Sequence, residues 1–130
     1  MRILIVEDDQ VSSIFLQKTL SRYGDCDITV DGMETLEAYL ISLQEDMPYD
    51  LICLDIMIPK INGVKVLKSI REMERKKRVK KNQCIKVIVI TALAETEFVS
   101  GSLNDGYDVY LAKPVDKNKI EEAMSKLGLL

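Results

Sequence analysis

The chain has 130 residues, 47% of them hydrophobic and 30% charged, with a net charge of −3 and no histidine. That length suits one domain with a substantial core, and no apolar run approaches the roughly 18 residues needed to cross a bilayer. The missing imidazole excludes Ser-His-Asp and Cys-His catalysis and most transition-metal sites.

Met1-Arg2 leads straight into Ile3-Leu4-Ile5-Val6, leaving no room for a signal peptide. This first predicted strand ends in Glu7 and Asp8. Asp9 is placed to cap a helix whose apolar face is Val11, Ile14 and Phe15, with Gly24 as its stop. A second strand near Asp27 to Val30 alternates in polarity, as an edge strand would. Met33, Leu36, Leu40 and Leu43 repeat at helical spacing until Pro48. Leu51-Ile52-Cys53-Leu54 then runs into Asp55, and Asn62 can cap a helix carrying Val64, Leu67 and Ile70.

Arg71 to Lys81 holds seven basic residues against Glu72 and Glu74, a local +5 that leaves −8 for the rest of the chain. It lies where a helix runs out into a loop and has no interleaved aromatics, so it reads as a solvated helix end, with docking to an acidic partner as the alternative, rather than a nucleic-acid site. Val87-Ile88-Val89-Ile90 ends in Thr91. The segment Glu95 to Asn104 is a marginal helix, because Ser100-Gly101-Ser102 interrupts Phe98, Val99 and Leu103. Val109-Tyr110-Leu111-Ala112 ends in Lys113-Pro114, and Asp116 can cap a last helix with Ile120, Ala123, Met124 and Leu127 inward. Cys26, Cys53 and Cys84 are odd in number and widely spaced. They indicate neither a disulfide framework nor a zinc site, but reduced, largely core thiols of a cytoplasmic protein.

Short β-branched runs read as strands buried on both faces, the signature of a parallel sheet whose helices cover both sides. All strands of such a sheet end along one edge, where ligands bind. Glu7, Asp8, Asp55, Thr91 and Lys113 therefore meet in one cleft. Three carboxylates suit magnesium, a hard cation that takes oxygen ligands, and their mutual repulsion raises at least one pKa. A carboxylate can attack phosphorus to form an aspartyl phosphate. An ammonium and a hydroxyl can then neutralise the phosphoryl oxygens. A single Asp after a strand is commonly a helix cap or turn residue; four successive strand ends carrying this set are not explained that way.

The stretches Ile3 to Asp9, Asp50 to Pro59, Gly63, Val89 to Ala92 and Tyr110 to Pro114 together resemble the receiver domain of two-component response regulators, over essentially all 130 residues. The resemblance implies an α/β fold, a five-stranded parallel doubly wound sheet in the flavodoxin-like order 2-1-3-4-5. One receiver domain would fill residues 1–130. It also implies that Asp55 is the phosphoacceptor and that Thr91 and Lys113 bind the phosphoryl group. Asp8 would ligate magnesium directly, Glu7 mainly through water and Met57 through its backbone carbonyl. Thr91 and Tyr110 would form the switch that alters the surface of the fourth helical segment, last strand and last helix. The Lys113-Pro114 bond is often cis in such domains. Asp9 could compete with Asp8 if the first strand ended one residue later; the family register leaves Asp9 as the cap.

The implied partners are a sensor histidine kinase or histidine phosphotransfer protein and a downstream protein target, with no direct nucleic acid and no membrane. The implied role is a signalling domain without an exogenous turnover substrate. Tyr107 stands where the family has a small residue, so the loop before the last strand packs unusually. Met57 and Leu93 flank the path of the hydrolytic water and cannot orient it, so slow autodephosphorylation is expected. A degenerate receiver serving only as a binding surface is one alternative. A magnesium-dependent phosphatase would place a second Asp where Met57 stands. A flavin module would not put Glu7-Asp8-Asp9 in its phosphate loop.

Overall fold

Apolar runs bounded by polar residues fold here into alternating strands and helices. The structure is a computed structural model that describes residues 1–92 and 106–130. Strands β1 (Arg2–Val6), β2 (Asp25–Thr29), β3 (Leu51–Asp55), β4 (Lys86–Thr91) and β5 (Val109–Ala112) form one parallel sheet in the order β2-β1-β3-β4-β5. Helices α1 (Gln10–Leu20), α2 (Gly32–Gln44), α3 (Gly63–Lys76) and α4 (Lys117–Lys126) connect or follow them, with a 3-10 turn at Lys81–Gln83. The expected segment Glu95 to Asn104 lies outside the described residues.

Successive strand side chains point to opposite faces, which divides the core in two. Leu4, Val6, Ile52, Leu54, Val87 and Val89 pack against α2 and α3. Ile3, Ile5, Leu51, Cys53, Ile88 and Ile90 pack against α1 and α4. Asp9, Asn62 and Asp116 cap their helices as expected, each accepting from the N–H three residues on, and Asp31 does the same for α2. Gly63 permits a close approach: a Cβ there would lie 2.7 Å from both the Asp55 carbonyl oxygen and Ile56 Cα. A glycine therefore lets α3 start directly against the end of β3.

The inward faces of the first two helices differ from the expected ones. In α1, Leu16 and Leu20 are buried with Ser13 and Thr19, whereas Val11 is 77% and Ile14 43% exposed. The first turn of α1 follows β1 at the carboxyl edge of the sheet, where Val11 stays in solvent, while Phe15 packs against the core as expected. In α2, Thr35, Tyr39 and Ser42 are buried and Met33 is exposed, while Leu36 and Leu43 pack against the core half-buried. Polar groups tolerate burial when paired: Tyr39 OH donates to Glu74 at 2.9 Å, and the Thr29 and Thr35 hydroxyls lie 2.7 Å apart.

Four smaller expectations are also corrected. β2 starts at Asp25 rather than Asp27, although it is the edge strand expected. β5 is not buried on both faces; it lies at the other edge, and its residues are half-buried or exposed. Gly24 does not stop α1, which Ser21 closes. Gly24 instead makes room for the chain start, since a Cβ there would sit 2.3 Å from the Met1 carbonyl oxygen. Of the thiols only Cys53 is buried, while Cys26 and Cys84 are half-buried.

The basic run is solvated from Arg75 to Lys81 apart from half-buried Val79, but Arg71 turns inward. Its guanidinium donates to Glu74 (2.8 Å), to the carbonyls of Ile85 (2.9 Å) and Gly106 (2.9 Å), and to Asp108 (3.3 Å). Glu74 also accepts from the Ile85 N–H at 2.8 Å. This knot ties α2, α3 and the approaches to β4 and β5 together.

Candidate functional site

The parallel register brings the strand ends side by side: Val6 aligns with Leu54, Asp55 with Ile90, and Thr91 with Ala112. Glu7, Asp55 and Thr91 are 2%, 5% and 0% exposed, while Asp8 is open to solvent. The Lys113 N–H donates to the Thr91 carbonyl at 2.7 Å, which sets the base of the lysine beside the threonine. From there Lys113 Nζ reaches Asp55 Oδ2 at 3.1 Å and Glu7 Oε2 at 3.3 Å. The other Asp55 oxygen accepts the Met57 N–H at 3.1 Å, so the backbone after β3 orients the carboxylate.

One oxygen from each of Glu7, Asp8 and Asp55 lies within 4.8 Å of the others. Burial, and next the charge of Asp55, push the Glu7 carboxyl up to about 7. A raised pKa in this cluster was expected from repulsion, but desolvation contributes more. Burial pulls Lys113 down, yet the hydrogen bonds and charges of Asp55 and Glu7 outweigh it and raise its pKa. Asp9 is accounted for separately. It caps α1 by accepting from the Ser12 N–H and hydroxyl, which hold its pKa below the usual carboxylate range.

Does this donor set fit magnesium? It offers oxygens alone, as a hard cation requires. Glu7 Oε2 is buried and, despite Lys113 Nζ at 3.3 Å, has no well-directed hydrogen bond. A buried carboxylate oxygen whose one close partner is the Lys113 ammonium, in a cluster with Asp8 and Asp55, has capacity left for a cation. The fit is good.

Other expected residues are placed as follows. The Met57 side chain is 59% exposed beside the cleft, and Leu93 lies outside the described residues. The Lys113-Pro114 bond is cis. Tyr110 is 42% exposed, and its ring meets that of Tyr107 edge-on at 5.8 Å. Tyr107 itself packs on the α2–α3 core. The sequence reading missed a cavity of about 530 Å³ beside the cleft, with Val11, Phe15, Lys113 and Pro114 in its wall. The apolar first turn of α1 was the available signal, assigned to the core instead.

A sequence profile of the response regulator receiver domain matches residues 3–125. A response regulator of Staphylococcus saprophyticus, ArlR, is 37% identical over 127 residues, which cover 97% of this chain and 50% of that protein. This chain thus spans about half the length of the curated relatives it matches. Among solved structures, the CheX–CheY–BeF3–magnesium complex of Borrelia burgdorferi matches with a TM-score of 0.80 at 26% identity, over 98% of this chain and 89% of that one. The receiver domain of a Pseudomonas aeruginosa sensor histidine kinase, with magnesium coordinated in its active-site cleft, gives 0.76 at 26% identity, over 98% and 97%.

Proposed function

Because the chain belongs to the response regulator receiver domain family of two-component signalling, we propose that Asp55 is its phosphoacceptor. The observation that carries this reading is Lys113 Nζ, held 3.1 Å from Asp55 and 3.3 Å from Glu7 in a buried carboxylate cluster. The donor is a phosphohistidine of a sensor kinase or phosphotransfer protein, or a small phosphodonor. An Asp55 carboxylate oxygen forms the new O–P bond as the P–N bond breaks, and its electron pair returns to the imidazole nitrogen. Lys113 shifts from pairing with the carboxylate to pairing with a phosphoryl oxygen, and the Thr91 hydroxyl donates to another.

Glu7, Asp8, Asp55 and the Met57 carbonyl would hold magnesium. When bound, it offsets the charge that repels an incoming phosphoryl group. The open cavity walled by Val11, Phe15 and Pro114 gives a donor protein an apolar footing beside Asp55. Transfer biases a pre-existing equilibrium, read out through Thr91 and Tyr110 at the β5 edge by a partner protein. The chain acts as a cytoplasmic signalling domain with no exogenous turnover substrate. Among the described residues no helix is long and apolar enough to cross a membrane.

Intact mass after incubation with acetyl phosphate and magnesium tests the assignment. One phosphoryl group is expected, absent from Asp55→Ala and from metal-free protein. An equal adduct on Asp55→Ala would sink it. Autodephosphorylation should be slow, since Met57 cannot orient water. Met57→Asn should shorten the phosphorylated lifetime several-fold or more, followed by loss of the adduct mass with time; an unchanged lifetime counts against this role.

A further inference from the structure

The amino-terminal edge of the sheet, opposite the acceptor cleft, holds a feature that phosphoryl transfer does not use. An open cavity of about 710 Å³ lies between the end of α3 and the approaches to β4 and β5. Such a volume is typical of small-molecule sites. Arg75 and Arg78 from the end of α3, Lys81 from the 3-10 turn and Lys86 from the start of β4 converge on it. Among the described residues none of these four side chains makes an ion pair. Glu74 and Asp108 also face the cavity, but Arg71 already engages both. The cavity is therefore left strongly positive in a chain that is negative elsewhere. Val79, Cys84 and Ile85 give it an apolar wall.

The end of α3 fixes where Arg78 sits. α3 ends with the Val79 N–H donating to the Glu74 carbonyl (2.9 Å) and the Arg78 N–H to the Arg75 carbonyl (3.1 Å). This Schellman closure normally puts glycine at the position of Arg78, which here has φ 54°. The left-handed conformation disfavours a side chain, so glycine would close the helix more comfortably. Asp46 closes α2 in the same left-handed way, so the conformation is a helix stop; what it does at Arg78 is set a planar, phosphate-matching guanidinium beside the cavity.

We propose that this cavity binds a nucleotide, with phosphates on Arg75, Arg78, Lys81 and Lys86 and the base over Val79, Cys84 and Ile85. The polyphosphate of a nucleoside diphosphate has the opposite sign to the rim, and arginine forks grip phosphate oxygens in pairs. The concave shape and apolar wall favour such a ligand over an extended polyanion, which the −8 carried by the rest of the chain would repel.

The test is an NMR titration of isotopically labelled protein with ADP in the presence of EDTA, which keeps magnesium out of the acceptor cleft. Amide shifts are expected at Val79, Cys84 and Lys86. Arg75→Gln combined with Arg78→Gly should weaken binding at least about tenfold. Arg78→Gly alone should raise the melting temperature, so lost affinity cannot be blamed on unfolding. Both variants should still accept a phosphoryl group at Asp55. No shifts up to about 10 mM ADP would overturn the proposal. So would pyrophosphate binding as tightly as ADP, which removes the base from the argument. Tighter binding of a polyglutamate peptide would overturn it too, by making the cavity a protein-docking surface.

Discussion

Glu74→Ala should destabilise the domain by about 3–5 kcal/mol, measured as a shift of the urea unfolding midpoint at constant slope. Glu74 is 3% exposed and accepts from the Tyr39 hydroxyl, the Ile85 N–H and the Arg71 guanidinium. Truncation leaves those buried donors without their acceptor, and each unsatisfied group costs about 1–3 kcal/mol. The Arg71 charge would also lose its nearest counterion. Glu74→Gln keeps one carbonyl acceptor and should recover part of the loss. An exposed pair on the same helix, Lys76 with Glu72 at 3.4 Å, gives the contrast. Its removal should change stability by less than about 1 kcal/mol. If Glu74→Ala behaved like that surface pair, the knot would not be the link between α3, β4 and β5 that its geometry indicates.

Glu7→Gln should have opposite effects with and without magnesium. The folded Glu7 carboxyl titrates at about 7 against an ordinary value of 4.5, because burial and then Asp55 disfavour its charge. The folded state thus holds a proton that the unfolded state has released between those values. Metal-free stability should fall as pH rises from about 4.5 to about 7, by an amount on the order of 2 kcal/mol. Lys113 stays charged throughout this window, its own pKa being raised. The glutamine amide keeps the oxygen that accepts the Asp9 N–H at 3.1 Å and adds no charge. The metal-free variant should therefore be more stable than the parent at pH 8, with a flatter pH profile. Magnesium should raise the melting temperature of the parent by mass action and that of the variant far less. Thermal unfolding at pH 5, 6.5 and 8, with and without millimolar magnesium, checks both. An unchanged pH slope, or an equal magnesium shift in the variant, would contradict the placement of Glu7 in a metal-binding cluster.

How much of this was legible before folding? Strands and caps were, because they rest on local chemistry. Apolar runs at β1, β3 and β4 and short polar caps at Asp9, Asn62 and Asp116 depend on residues within one or two turns. The cleft was legible for a topological reason. Once the strands are parallel, Glu7, Asp8, Asp55, Thr91 and Lys113 lie at one edge whatever the details of packing.

Helix faces were less legible, since apolar spacing gives a stripe but not which stripe the sheet covers. Val11 and Met33 satisfy the period yet stay in solvent. Thr35 and Tyr39 break it and are buried, because Thr29 and Glu74 are there to pair with them.

By itself the sequence determined the fold class, the strand ends and which residues meet at the cleft, all encoded in contiguous motifs. Only the tertiary structure decided the Arg71–Glu74–Asp108 knot and the desolvation that carries Glu7 to about 7. The knot joins Arg71 to Asp108, 37 residues on, and the surroundings of Glu7 include Asp55 and Lys113, 48 and 106 residues away. Hydrogen-bond direction and burial belong to the arrangement of such partners in space, and no local window of residues contains them.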